Sequence, residues 1–247
     1  MLFLFRRLRS SLLRKDKVWQ YLAYAVGEIF LVVIGIYIAI QFNNWNEGKK
    51  AKELVKTNIG ILIETLKEDS IYYREKLIEI EFYTVALRDY QRRLSQPEAN
   101  LDTLIKITRY EFSPGIVKVD KDNNDAYNSM TMSGEINLFP KDLRQDIFSL
   151  YARHKVLEGE NSSHFYSYLE TLNTFNGKFG LQFTSPYKEG PIADAIWKDV
   201  DMRDLAVAFH PLMNTKRNHL GQIRREVNDV MDMTDALLIK LKQALDD

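Results

Sequence analysis

The chain has 247 residues, with 34 Lys and Arg against 34 Asp and Glu, so its formal net charge at pH 7 is zero. It has no cysteine, which excludes disulfides, iron–sulfur clusters and thiol catalysis. The charge is unevenly spread: residues 1–20 carry six Lys/Arg and one Asp, leaving a mildly acidic remainder of 28 basic against 33 acidic residues, without the basic stripe that nucleic-acid binding requires.

In residues 1–20, Leu2, Phe5, Leu8, Leu12 and Trp19 recur at helical spacing, and basic residues occupy much of the remaining surface. Such a segment is expected to lie in the headgroup layer, with Arg6, Arg7 and Arg9 toward anionic lipid and Trp19 at the interface. A basic tail that only sets topology and an organellar transit peptide are the alternatives.

Residues 21–42 form an apolar run whose only charge is Glu28. As a helix, roughly 22 residues reach about 33 Å, enough to cross a hydrocarbon core of about 30 Å. A secretory signal is disfavoured, because its apolar region is shorter and ends in small residues at a cleavage site. Here the run ends Ala39-Ile40-Gln41-Phe42-Asn43. More Lys and Arg precede the span than follow it, which predicts a cytoplasmic N-terminus and an extracytoplasmic remainder, periplasmic in a bacterial inner-membrane protein.

Within the span, Ala23, Gly27, Gly35 and Ala39 fall at multiples of four, with Leu31 completing the row, so one face is a groove of small residues suited to helix packing. Glu28 stands beside it. A carboxylate there requires protonation, water or a partner, so three readings stay open: helix pairing, proton or ion coupling, and simple tolerance near the inner headgroups. Asn43, Asn44 and Trp45 mark the outer interface, and Gly48 offers a site for a bend.

Residues 43–247 read as helical almost throughout. Leu62, Leu66, Tyr73, Leu77, Ile80, Leu87 and Leu94 form one stripe, which Pro97 ends, and a shorter helix is expected over 101–110. The alternation of residues 116–119 suggests a short strand without an evident partner. Asp120, Asp122 and Asn124 begin like a calcium loop, but Asp125 replaces the required glycine and Thr131 the terminal glutamate, so turn formation is the better reading.

Pro140 suits a helix start, and Leu143, Ile147, Leu150, Leu157, Phe165, Tyr168, Leu172, Phe175 and Phe179 carry a second long stripe, closed by Gly177 and Gly180 and open to a split at residues 158–161. The last helix holds a nearly strict heptad rhythm from Leu205 to Leu241, with Lys216 and Thr234 in its gaps. The Tyr72-Tyr73, Phe82-Tyr83 and Phe165-Tyr166-Tyr168 groups read as core and rim, though helix bundles also hold small molecules. His154 and Glu158 share a helix face, and His164 follows, without a third metal ligand at suitable spacing. The expected fold is all-α: a transmembrane helix continuing into an elongated extracytoplasmic helical bundle.

The string Tyr24-Ala25-Val26-Gly27-Glu28-Ile29, then Leu31-Val32-Val33-Ile34-Gly35-Ile36 and Asn43-Asn44-Trp45-Asn46-Glu47, resembles the start of a large Bacteroidota family of single-span proteins of unknown function. Ser133-Gly134-Glu135 and Leu143-Arg144 extend the resemblance. It implies inner-membrane location and a helical periplasmic part, and it implies no activity.

With no nucleophile, metal cluster, cofactor motif or phosphate loop in view, the expectation is a non-catalytic, membrane-anchored interaction or scaffold subunit. Its partners would be the lipid bilayer and either further copies of itself or another membrane protein. The alternatives are a periplasmic sensor or ligand-binding module, and a single-span partner in an ion-coupled complex using Glu28. A sensor of this layout would need an output domain that residues 1–20 do not supply.

Overall fold

The computed structural model describes residues 15–119, 123–180 and 190–246. The chain divides into two units between Val55 and Lys56. Its elements are α1 (Lys15–Leu94), α2 (Leu101–Ile105), a π-helical turn (Lys106–Glu111), α3 (Asp125–Ser133), a 3₁₀ turn (Glu135–Leu138), α4 (Lys141–Phe179), α5 (Pro191–Trp197) and α6 (Met202–Asp246). The described residues are all-α, without strands.

Helix α1 is uninterrupted from Lys15 to Leu94, so neither Asn43-Asn44-Trp45 nor Gly48 breaks it. It stops ahead of Pro97, whose ring disfavours helical backbone in the residue before it. Ser95 Oγ and Gln96 Nε2 both donate to the Arg92 carbonyl, and Arg92 and Arg93 lie at the negative end of the helix dipole. Asn100 then caps α2 in a reciprocal box with Thr103. The expected helix over 101–110 is present, but it widens at Lys106 into a π turn, where Phe112 N–H reaches the Ile107 carbonyl at 2.7 Å. Tyr90 holds the end of that turn by donating its hydroxyl to the Glu111 carbonyl at 2.7 Å.

Helix α4 runs unbroken through residues 158–161 and past Gly177, so the anticipated split is absent. Its stop is Gly180, whose φ of 60° places it in the left-handed region that glycine enters at no steric cost.

In the unit that begins at Lys56, α1, α4 and α6 form the core. Ile59, Leu62, Leu66, Tyr73, Ile80 and Leu87 are the buried stripe of α1. Leu143, Ile147, Leu150, Leu157, Tyr168, Leu172 and Phe175 are that of α4, and Leu205, Phe209, Leu212, Leu220, Ile223, Val227, Val230, Leu237 and Leu241 that of α6.

The register of α4 on α6 follows from their polar contacts: Asp146 meets Lys240 at 2.5 Å, Arg153 meets Asp229 at 3.0 Å, Thr171 meets Thr215 at 2.8 Å and Asp204 accepts from Lys178 at 2.9 Å. As numbers rise along α4 they fall along α6, so the two helices are antiparallel. Lys56 with the Leu245 carbonyl and Glu81 with Arg224 give the same sense for this part of α1. The exposed ion pairs contribute little energy individually and serve here mainly to report register.

Residues 112–119 form neither helix nor strand. The alternation of 116–119 had suggested a strand, and no neighbouring strand exists among the described residues to complete a ladder. The segment instead becomes a strap packed among the helices.

Candidate functional site

The strap shows how a buried backbone without a sheet satisfies its carbonyls. Lys216 Nζ donates to Ser113 O at 2.5 Å, Tyr168 Oη to Pro114 O at 2.8 Å, and Asn161 Nδ2 to Val119 O at 2.9 Å. His219 Nε2 contacts Val117 O at 2.8 Å; a carbonyl can only accept, so Nε2 carries the proton. Four side chains from α4 and α6 thus replace a neighbouring strand, and leaving one such buried carbonyl unpaired costs about 1–3 kcal/mol.

Helix α1 closes the strap from a third side. A Cβ placed on Gly115 would stand 2.6 Å from the Tyr83 hydroxyl, so any larger residue here must displace the Tyr83 side chain or the strap. Phe112 anchors the strap's start, with Tyr90 at 6.3 Å and Phe209 at 5.1 Å between ring centroids.

Lys216 is the most unusual group in this region. It is only 1% exposed, and its Nζ lies 4.1 Å from the ring centre of Tyr83, 5.0 Å from that of Phe112 and 6.0 Å from that of Tyr168. Burial lowers its pKa from 10.5 to about 7, while the ring faces attract the ammonium form. Burial also holds His219 below its usual range and pushes the Tyr168 hydroxyl well above its own. Among the described residues, His219 Nδ1 and Asn161 Oδ1 have no hydrogen-bond partner. The arrangement does structural work: it places donors against the carbonyls of one strap.

A second polar layer joins α4 to α6. Gln222 donates to Glu160 at 2.9 Å and to Glu226 at 2.7 Å, and Arg153 pairs with Glu226 and Asp229. Burial raises the Glu226 pKa, whereas the Gln222 hydrogen bond lowers that of Glu160, so the pair retains a proton on Glu226 more readily.

The residues singled out from sequence lie elsewhere, in the unit that ends at Val55. Ala23, Gly27, Leu31, Gly35 and Ala39 follow one another at four-residue intervals on α1. Gly27, Leu31, Gly35 and Ala39 are exposed, as is Glu28, and a Cβ added at Gly27 or Gly35 would meet no atom within 4 Å. Because a row at four-residue spacing is inclined by about 26° to the helix axis, a helix seated in it would cross at an angle.

Trp19 is 76% and Trp45 64% exposed. Phe42 packs on Trp45 at 5.9 Å, and Asn43 Nδ2 donates to Glu47 Oε1 at 2.9 Å, which orders the polar end of the apolar run. Arg6, Arg7 and Arg9 lie outside the described residues. Helix α1 contains the one segment among the described residues long and apolar enough to cross a membrane, and none of that segment is buried. It is compatible with a single-pass membrane protein.

His154 packs against Tyr73 and Tyr151 at 5.9 and 5.4 Å, and no group of three or more His, Asp or Glu residues is placed to hold a metal among the described residues.

Residues 28–189 match a family of unknown function, DUF6090. The chain belongs to that family. The match takes in most of the apolar segment, the strap and α4, whereas Lys216 and His219 on α6 lie beyond it. No curated protein and no solved structure matches the chain.

Proposed function

We propose that this protein is a non-catalytic, membrane-anchored interaction subunit of a bacterial envelope complex, in which the span pairs with a second helix through the Ala23, Gly27, Leu31, Gly35 and Ala39 row. The observation that carries the reading is the row itself: Gly27, Leu31, Gly35 and Ala39 follow one another at four-residue spacing on the uninterrupted helix α1, and all four are exposed. An apolar helix gains little from burying more apolar surface in lipid, so association rests on close backbone approach, which glycine permits. The excess of Lys and Arg ahead of the span supports a cytoplasmic N-terminus and a periplasmic helical domain in the inner membrane. The partner helix is a second copy of this chain or that of another membrane protein.

Cross-linking in intact membranes tests the pairing. Gly35→Leu fills the groove and is expected to abolish the cross-linked species. Glu28→Gln, which keeps the volume and a hydrogen-bonding amide, is expected to retain it. Unchanged cross-linking in Gly35→Leu refutes the packing face; loss of cellular function in Glu28→Gln with assembly intact moves the role to proton or ion coupling at Glu28.

A further inference from the structure

Four arginines line one cleft between α1 and α6. Arg88 comes from α1, and Arg217, Arg224 and Arg225 from α6, around a volume of about 330 Å³. The spacing explains the convergence: positions 217, 221, 224 and 225 share one side of a helix, and Gly221 leaves its middle open.

The guanidiniums are poorly neutralised. Glu81 pairs with Arg224 and lies 3.6 Å from Arg88, while Arg225 donates to the neutral Gln222 amide. Arg217 makes no ion pair or hydrogen bond among the described residues. Neighbouring carboxylates are committed elsewhere: Asp89 to Arg92 and Arg93, and Glu226 and Asp229 to Arg153. One carboxylate against four guanidiniums makes an anion site, and planar forked donors suit phosphate oxygens.

The cleft does not end at its charged part. Gln91 and Arg217 also border an adjoining groove of about 950 Å³, whose apolar lining includes Leu94, Leu104, Met202, Phe209 and Met213. That volume matches small-molecule sites, and the two methionines offer an adaptable wall.

We propose that the arginine cleft and the apolar groove form one binding site for a lipid phosphate, its phosphate held by Arg88, Arg217 and Arg225 and its hydrocarbon chain laid along the groove. Charge complementarity selects the head, and the shared border at Arg217 and Gln91 makes head and chain sites continuous. The site is independent of helix pairing in the span.

The test uses the full chain in nanodiscs of neutral phosphatidylcholine, titrated calorimetrically with dihexanoyl phosphatidic acid against empty discs. Saturable binding at one site per chain is expected, weakened roughly tenfold or more by Arg217→Gln, which removes charge-assisted hydrogen bonds. Gly221→Leu keeps all four arginines and a better helix former, yet fills the cleft, and is expected to weaken binding as strongly. Circular dichroism of each variant checks the fold. Inorganic phosphate and dihexanoylglycerol, the head and the chains alone, should each bind at least about tenfold more weakly. Equal affinity for inorganic phosphate reduces the site to a free-anion site and overturns the proposal. Equal affinity for dihexanoylglycerol, or binding untouched by both substitutions, overturns it as well.

Discussion

Replacing Lys216 by methionine should flatten the pH dependence of stability. The perturbation keeps the side chain's approximate volume within the Tyr83, Phe112 and Tyr168 surround but removes the amine. In the unfolded chain a lysine holds its proton up to about 10.5, whereas burial lowers the folded value to about 7. Between these limits the unfolded state binds more protons, so stability rises with pH; below about 7 both states are charged and the slope disappears.

One proton corresponds to about 1.4 kcal/mol per pH unit, so wild-type stability should gain up to about 2.7 kcal/mol between pH 7.5 and 9.5 relative to Lys216→Met. This is an upper figure, since the ring faces favour the ammonium. The lost donor to Ser113 O destabilises the variant by about 1–3 kcal/mol at every pH, an offset without slope. Urea unfolding of both proteins in detergent, followed by helical circular dichroism at several pH values below 10, measures the difference. Staying below 10 avoids the buried tyrosines, whose raised values act in the opposite sense. Two parallel curves would refute the buried-amine argument.

Other consequences follow from the same region and from the bundle. Gly115→Ala should destabilise by about 1–3 kcal/mol through crowding against the Tyr83 hydroxyl, and Tyr83→Phe should recover part of that loss in the double variant; additive effects would mean the contact is not the cause. Asn161→Leu should cost about 1–3 kcal/mol by leaving Val119 O without its donor, read as a lower urea midpoint with unchanged helix content. A fragment from Lys52 to Asp247 should be soluble and strongly helical, because α1, α4 and α6 bury their stripes against one another beyond Val55; aggregation or substantial β signal would contradict that packing.

Much of this architecture is written locally. An apolar run from Tyr21 to Phe42 needs only its own composition to show a segment long and apolar enough to cross a membrane, and glycine at 27 and 35 needs only helical spacing to share a face. The same periodicity extends to the polar members of the α6 stripe. Lys216 and Thr234 stand at core positions of the heptad rhythm, and both are buried, at 1% and 0% exposure. A lysine at such a position is itself the sequence signal that a polar partner is required.

What tertiary structure alone decided is the identity of those partners. The alternation in residues 116–119 suggested a strand that the fold does not form, and it says nothing of what meets the carbonyls of this segment; the answer lies far away in the chain: Lys216 for Ser113, His219 for Val117, Asn161 for Val119. The four-arginine cleft is similar, since Arg88 joins Arg217, Arg224 and Arg225 only because α1 and α6 pack antiparallel. Periodicity reports which face of an element is buried, and the register between elements distant in sequence is set only when those faces interlock.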